Sequence, residues 1–231
     1  MDTSKLKKLP NGEGGFGECY IVDQNTLYKK FYKLSSGKYP FEADRFNDFV
    51  GIKNKNFVFP NEIETNGEYT IGYTMDYIHA KDLKVLNYNY SISDFIMALD
   101  DLKESLYELA YLGIVIADVN DKNILFDDQF HIIDTDLYIM DNERHYDMGH
   151  NEDYLVNYLN YLFVYADRTL IIKDLLDSNE DLNLSNRIVE RDYTISALKD
   201  FLIELREIAT RLFGKEVENF SEIYDGLERT R

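Results

Sequence analysis

The stretch "IADVNDKNILFDDQFHIIDTD", residues 116–136, holds six aspartates. It is either an acidic surface loop or part of a metal–phosphate site, and spacing separates the two. Asp127 and Asp128 fall in the turn "DDQ" between the apolar runs "NILF" and "FHIID", where Asp is ordinary turn chemistry. Asp118, Asn123 and Asp134 are placed differently. The first two stand five apart between a helix pattern and the hairpin, and the third ends the second run. Their oxygens are hard ligands suited to magnesium, and a carboxylate there can orient a hydroxyl or accept its proton.

Upstream, "SISDFIMALDDLKESLYELAYLG" places Ile92, Phe95, Ile96, Leu99, Leu102, Leu106, Leu109 and Leu112 on one helical face. Ser91 and Asp94 form a capping box, and Gly113 is the stop. Before residue 80 the signals are strands. "GECYIVD" and "TLYKKFY" flank the turn "DQN", and "NFVFPNEIET" and "EYTIGYTMDYI" flank "NG". Between them "FEADRFNDFVGI" reads as a short helix. Downstream, "EDYLVNYLNYLFVYA", "TLIIKDLLD" and "TISALKDFLIELREIATRLF" read as helices. The division is a strand-rich part, 1–78, and a helical part, 79–231.

In the first part "GEGGFGECY" spaces Gly12, Gly14, Phe16 and Gly17 as G-x-G-x-F-G. Such glycines let backbone amides approach a phosphate, although a plain hairpin loop also uses them. The next strand carries Lys29, suited to phosphate oxygens, with Lys30 beside it. Alternation puts Leu27 and Lys29 on one face and Tyr28 and Lys30 on the other. Lys29 is preferred, because Leu27 then lines an adenine pocket.

The net charge of −18 disfavours nucleic acid and anionic membrane as partners. Residues 1–40 run the other way, with seven lysines against four acids, and hint at an anion site. The single cysteine, Cys19, excludes an internal disulfide and a cysteine-based zinc cluster. With no signal-peptide core and no apolar run of membrane length, the expected compartment is the cytoplasm.

Taken in order, these pieces resemble the protein-kinase-like superfamily over nearly the whole chain. "GEGGFG" matches its glycine loop, "TLYK" stands for V-A-I-K, "YTMDYI" for the hinge, "IADVNDKN" for H-R-D-L-x-x-x-N and "DTD" for D-F-G. The resemblance implies an α+β, bilobal fold with ATP and magnesium as cofactors. It implies Asp118 as catalytic base, Asn123 and Asp134 as magnesium ligands, and Lys29 on the α- and β-phosphates. Glu42 is the candidate partner of Lys29, with Asp44 and Asp48 as competitors. Met75 becomes the gatekeeper, Asp76 to Ile78 the adenine hinge, and Asp82 a ribose contact. Cys19 and Leu27 then cover the adenine and Leu125 lies beneath it.

The departures are specific. Ile116 and Ala117 replace His and Arg, so an activation-loop phosphate lacks its usual partner. Lys122, four residues after Asp118, either supplies the missing charge or is a surface lysine. Thr135 and Asp136 replace Phe and Gly, as in some bacterial kinase-like proteins. Nineteen residues separate Asp134 from Asp153, the expected start of the next helix, and no A-P-E motif intervenes. The activation segment is therefore truncated. The favoured activity is phosphoryl transfer to a Ser or Thr hydroxyl of a protein. The rivals are a small-molecule phosphotransferase of the aminoglycoside or choline kinase type and a nucleotide-binding pseudokinase.

Overall fold

Phe31, Phe41, Phe46 and Tyr73 are almost fully buried, and their rings meet at centroid distances of 4.9–5.8 Å. Phe31, Phe41 and Tyr73 lie on strands, where the alternation of side chains aims them into one core, and Phe46 joins them from the turns after Glu42. A computed structural model describes residues 1–83, 89–120, 122–143, 148–164 and 193–230. The chain divides into two compact units: Met1–His79 with Ile133–Asp136, and Ala80–Ile132 with Leu137–Arg231.

The first unit is an antiparallel sheet. Strands β1 (Lys7–Glu13), β2 (Gly17–Ile21), β3 (Thr26–Phe31) and β6 (Tyr69–Asp76) pair in that order, and β4 (Phe41–Glu42) and β5 (Pro60–Thr65) both pair with β6. Both expected hairpins are present. The β5–β6 turn is fixed by Asn66, whose Oδ1 accepts from the amides of Glu68 and Tyr69, and by Gly67 at φ 102°. The expected helix at 41–52 is not. Phe41 and Glu42 add to β6, and residues 43–51 form successive turns such as Arg45 N to Glu42 O and Asn47 N to Asp44 O. Asp44, Asn47 and Asp48 are residue types that favour turns over helix interiors.

The second unit is helical around two small sheets. Helix α1 (Ile92–Leu112) has Ser91 as N-cap, accepting from Asp94 N, and Gly113 in the left-handed region as C-cap. Its expected face is buried except for Ile96, which is half-buried, and Leu112, which is exposed at the last residue of the helix. Strands β9 (Ile124–Phe126) and β10 (Phe130–Ile132) form the expected hairpin with β7 (Lys81–Asp82) on its edge, and β8 (Ile114–Val115) pairs with β11 (Ile139–Met140). Helix α2 (Met148–Val164) starts earlier than expected. Helix α3 (Ile195–Phe213) begins at N-cap Thr194, and α4 (Phe220–Thr230), not anticipated, follows. The expected helix "TLIIKDLLD" lies outside the described residues. The α+β class is as expected. No helix among the described residues is long and apolar enough to cross a membrane.

Candidate active site

The first unit brings Lys29, Asp134 and Asp136 together. Lys29 is 5% exposed on β3, on the same face as Leu27 and Phe31, whereas Lys30 faces the other side, half-buried. Its Nζ lies 2.5 Å from Asp134 Oδ1 and 2.6 Å from Asp136 Oδ2. Burial pulls the Lys29 ammonium down, but Asp136 and then Asp134 more than offset it and hold it above its ordinary range. Burial likewise pushes the Asp136 carboxyl up, against the pull of Lys29.

Asp136 is fixed on further sides. Tyr73 Oη donates to its Oδ1 at 2.6 Å, and Arg45 Nη2 donates to its carbonyl at 2.8 Å. Thr135 Oγ1 donates to Val58 O at 3.2 Å. This is why residues 133–136 belong with the N-terminal sheet while their neighbours on both sides belong to the other unit. Asp134 itself has φ 62°, a left-handed backbone that costs a non-glycine residue free energy, though Asp tolerates it better than most.

Glu42 does not pair with Lys29. It is exposed on β4, and strand alternation turns Phe41 inward and Glu42 out. Asp44 and Asp48 are exposed as well. The partners come instead from the segment of Asp134.

The glycine loop is a tight turn, with Gly14 N donating to Gly17 O at 2.8 Å. A Cβ on Gly17 would lie 2.4 Å from Lys30 O, and one on Gly12 2.9 Å from Leu9 Cβ, so both positions need glycine for space. A Cβ on Gly14 would stand 3.8 Å from Asp134 Oδ2, which places this turn over the carboxylate. Phe16 leans edge-on against Phe41. Cys19 is half-buried opposite Lys29 in the β2–β3 register, and burial pushes its thiol up to about 11. Leu27 and Met75 are buried and opposite each other. Asp76 is held by Lys53 and Asn61, Tyr77 N donates to Asn25 O, and Ile78 is half-buried.

In the second unit, Asp118 has φ 54° and is exposed. Its carbonyl accepts from Asn123 Nδ2 at 3.0 Å and Asn120 Nδ2 at 3.2 Å, and its amide donates to Tyr154 Oη at 3.1 Å. One turn earlier on α2, Asn151 accepts from Ile116 N and donates to Ile114 O. Asn151 and Tyr154 therefore seat the backbone of residues 114–118. No sequence pattern marked them, since they are ordinary residues of an amphipathic helix. Lys122 is exposed. The register of β7 and β9 sets Asp82 opposite Leu125. A cavity of about 350 Å³ lined by Val119, Tyr154, Asn157 and Tyr158 opens next to Asp118 in the chain.

In the second unit Asn123 uses its Nδ2 on the Asp118 carbonyl, so its Oδ1 is the acceptor end of that side chain. In the first unit the Asp134 side chain is 30% exposed. Among the described residues no group of three His, Cys, Asp or Glu side chains could hold a metal alone.

No protein-family model matches the chain, and no curated protein matches it in sequence. Among solved structures the chain is similar to the Cydia pomonella granulovirus kinase PK-1, at 20% identity and a TM-score of 0.46. The match covers 58% of this chain and about half, 51%, of that kinase.

Proposed function

We propose that this chain is an ATP- and magnesium-dependent phosphotransferase acting on a Ser or Thr hydroxyl of a protein. The observation that carries the reading is the buried Lys29 against Asp134, with the glycine turn at Gly14 over the same carboxylate. A buried lysine, an acidic cation ligand and glycine amides together are suited to a polyphosphate. Lys29 neutralises the α- and β-phosphates, and Asp134 and Asn123 hold magnesium. Magnesium, when bound, offsets the charge on the phosphate oxygens. Asp118 orients the acceptor hydroxyl and takes its proton as oxygen attacks the γ-phosphorus and ADP leaves. Lys122 is placed in sequence to add positive charge.

A second reading has its own observation. The cavity of about 350 Å³ beside the catalytic loop is lined by two tyrosines, one Asn and one Val, a size and chemistry that suit one small hydroxyl compound. Labelled-ATP turnover with protein and small-molecule acceptors separates the two. Asp118→Asn is expected to lower turnover by about 10²–10⁴-fold, the scale of a general base, with nucleotide binding nearly unchanged. Absence of ATP binding by calorimetry in the presence of magnesium sinks the reading, and full turnover in Asp118→Asn removes the role of Asp118.

A further inference from the structure

We propose that Asp136 is the positioning residue of Lys29, so that the lysine and the cation ligand Asp134 are set by one four-residue segment. This rests on the reading of Lys29 as the phosphate-binding lysine and adds its regulation. The kinase resemblance implies a carboxylate on a helix after β3, which can bring the lysine into or out of register. Here the corresponding segment, residues 43–51, is a series of turns, and Glu42 points away on an edge strand. Bringing Glu42 inward needs a one-residue slip of β4, which would turn the buried Phe41 to solvent.

The two carboxylates on Lys29 are not equivalent. The Asp134 side chain is 30% exposed and Asp136 is 1% exposed. An ammonium has three donors, so Lys29 can keep Asp136, release Asp134 to a cation and turn a proton toward phosphate. Asp136 has no such freedom, because Tyr73 and Arg45 hold it. The aromatic column Tyr73, Phe46, Phe41 and Phe16 then links that anchor to the tip of the glycine turn. Assembly of the site in this design depends on the docking of residues 133–136 against the sheet, and no helix rotation is needed.

The test compares Asp136→Asn with Glu42→Gln. In nucleotide-free protein labelled with ¹⁵N-lysine, the Lys29 ammonium is expected to give a signal protected from solvent exchange. Asp136→Asn should lose or shift it, and Glu42→Gln should leave it in place. Kinetically, Asp136→Asn should raise the ATP KM about tenfold or more, the scale of one charge-assisted hydrogen bond, with the magnesium dependence unchanged. Should Asp136→Asn fail to fold, Tyr73→Phe takes its place and should shift the same signal. An unmoved Lys29 signal in the folded variant, or equal effects from Glu42→Gln, overturns the proposal. Because the signal is read without nucleotide, a chain that binds no ATP yet shows the Asp136 effect loses the function reading and keeps this one.

Discussion

Cys19 reports on the residue scale, because it is the only thiol in the chain and sits opposite Lys29. With burial pushing the thiol up to about 11, it is almost wholly protonated at neutral pH. Alkylation by a small maleimide is expected to be roughly a hundredfold slower than for an ordinary thiol of pKa near 8.5. Saturating ATP with magnesium should slow it again, as adenine covers the sulfur. Equal rates with and without nucleotide, followed by mass spectrometry, would take Cys19 out of the adenine site. The same scale shows what sequence could reveal. Strand alternation separated Lys29 from Lys30, because side-chain direction on a strand depends on parity alone. The partner of Lys29 differs from the expected one for a physical reason. The resemblance implies Glu42 on a helix over 41–52, whereas Glu42 lies on strand β4 and faces out and residues 43–51 are turns. Asp136 was visible only as a departure from a motif, and a contact across 107 residues leaves no local pattern.

Elements were legible where period and punctuation agreed. Helix α1 carried a capping serine, a helical apolar stripe and a terminal glycine, and the β5–β6 hairpin carried Asn-Gly. Helix α4 was missed although Asn219 and Glu222 stand in capping-box spacing; its start rests on Glu222, which accepts from Asn219 N at 3.1 Å and Glu218 N at 2.8 Å. Those bonds and Lys215 hold the Glu222 carboxyl down at about 2. Its ordinary value is 4.5, so the stabilisation is present above about pH 4.5 and is lost as pH falls toward 2. Glu222→Gln is expected to cost about 1 kcal/mol at neutral pH, the scale of a helix cap, and to flatten the stability profile between those values. Denaturant melts at several pH values check it; an unchanged acid limb contradicts it. The glycine turn makes a second expectation. Gly17→Ala meets backbone at 2.4 Å and should destabilise by roughly 1–3 kcal/mol. Gly14→Ala meets only ordinary contact at 3.8 Å and should spare stability while weakening nucleotide binding. A Gly14→Ala protein that binds ATP normally would remove this turn from the phosphate site.

On the scale of the whole molecule, the assignment of residues 133–136 to the N-terminal unit bears on how the proposed activity would be controlled. A kinase switched by phosphorylation needs an accessible hydroxyl after the metal ligand and a cation to receive the phosphate. Thr135 is 2% exposed and its hydroxyl is used on Val58 O, and Tyr138 is 1% exposed. A modifying enzyme can reach Thr135 only by undocking the segment that holds Lys29, and Tyr138 is buried within the other unit. Ala117 stands where the motif has an arginine, so the usual receiving cation is absent from that position. Helix α2 already begins at Met148, which leaves a shorter connection after Asp134 than the sequence implied. The net charge of −18 adds a general penalty on further negative groups. Activity should therefore be present in protein made without any kinase and should be unchanged by phosphatase treatment. Intact-mass measurement before and after treatment, alongside turnover of labelled ATP, checks both statements. A large loss of turnover that tracks removal of phosphate from either residue would contradict this; were the residue Thr135, it would show that the segment undocks in the working cycle, and the fixed-anchor view of Asp136 would fall with it.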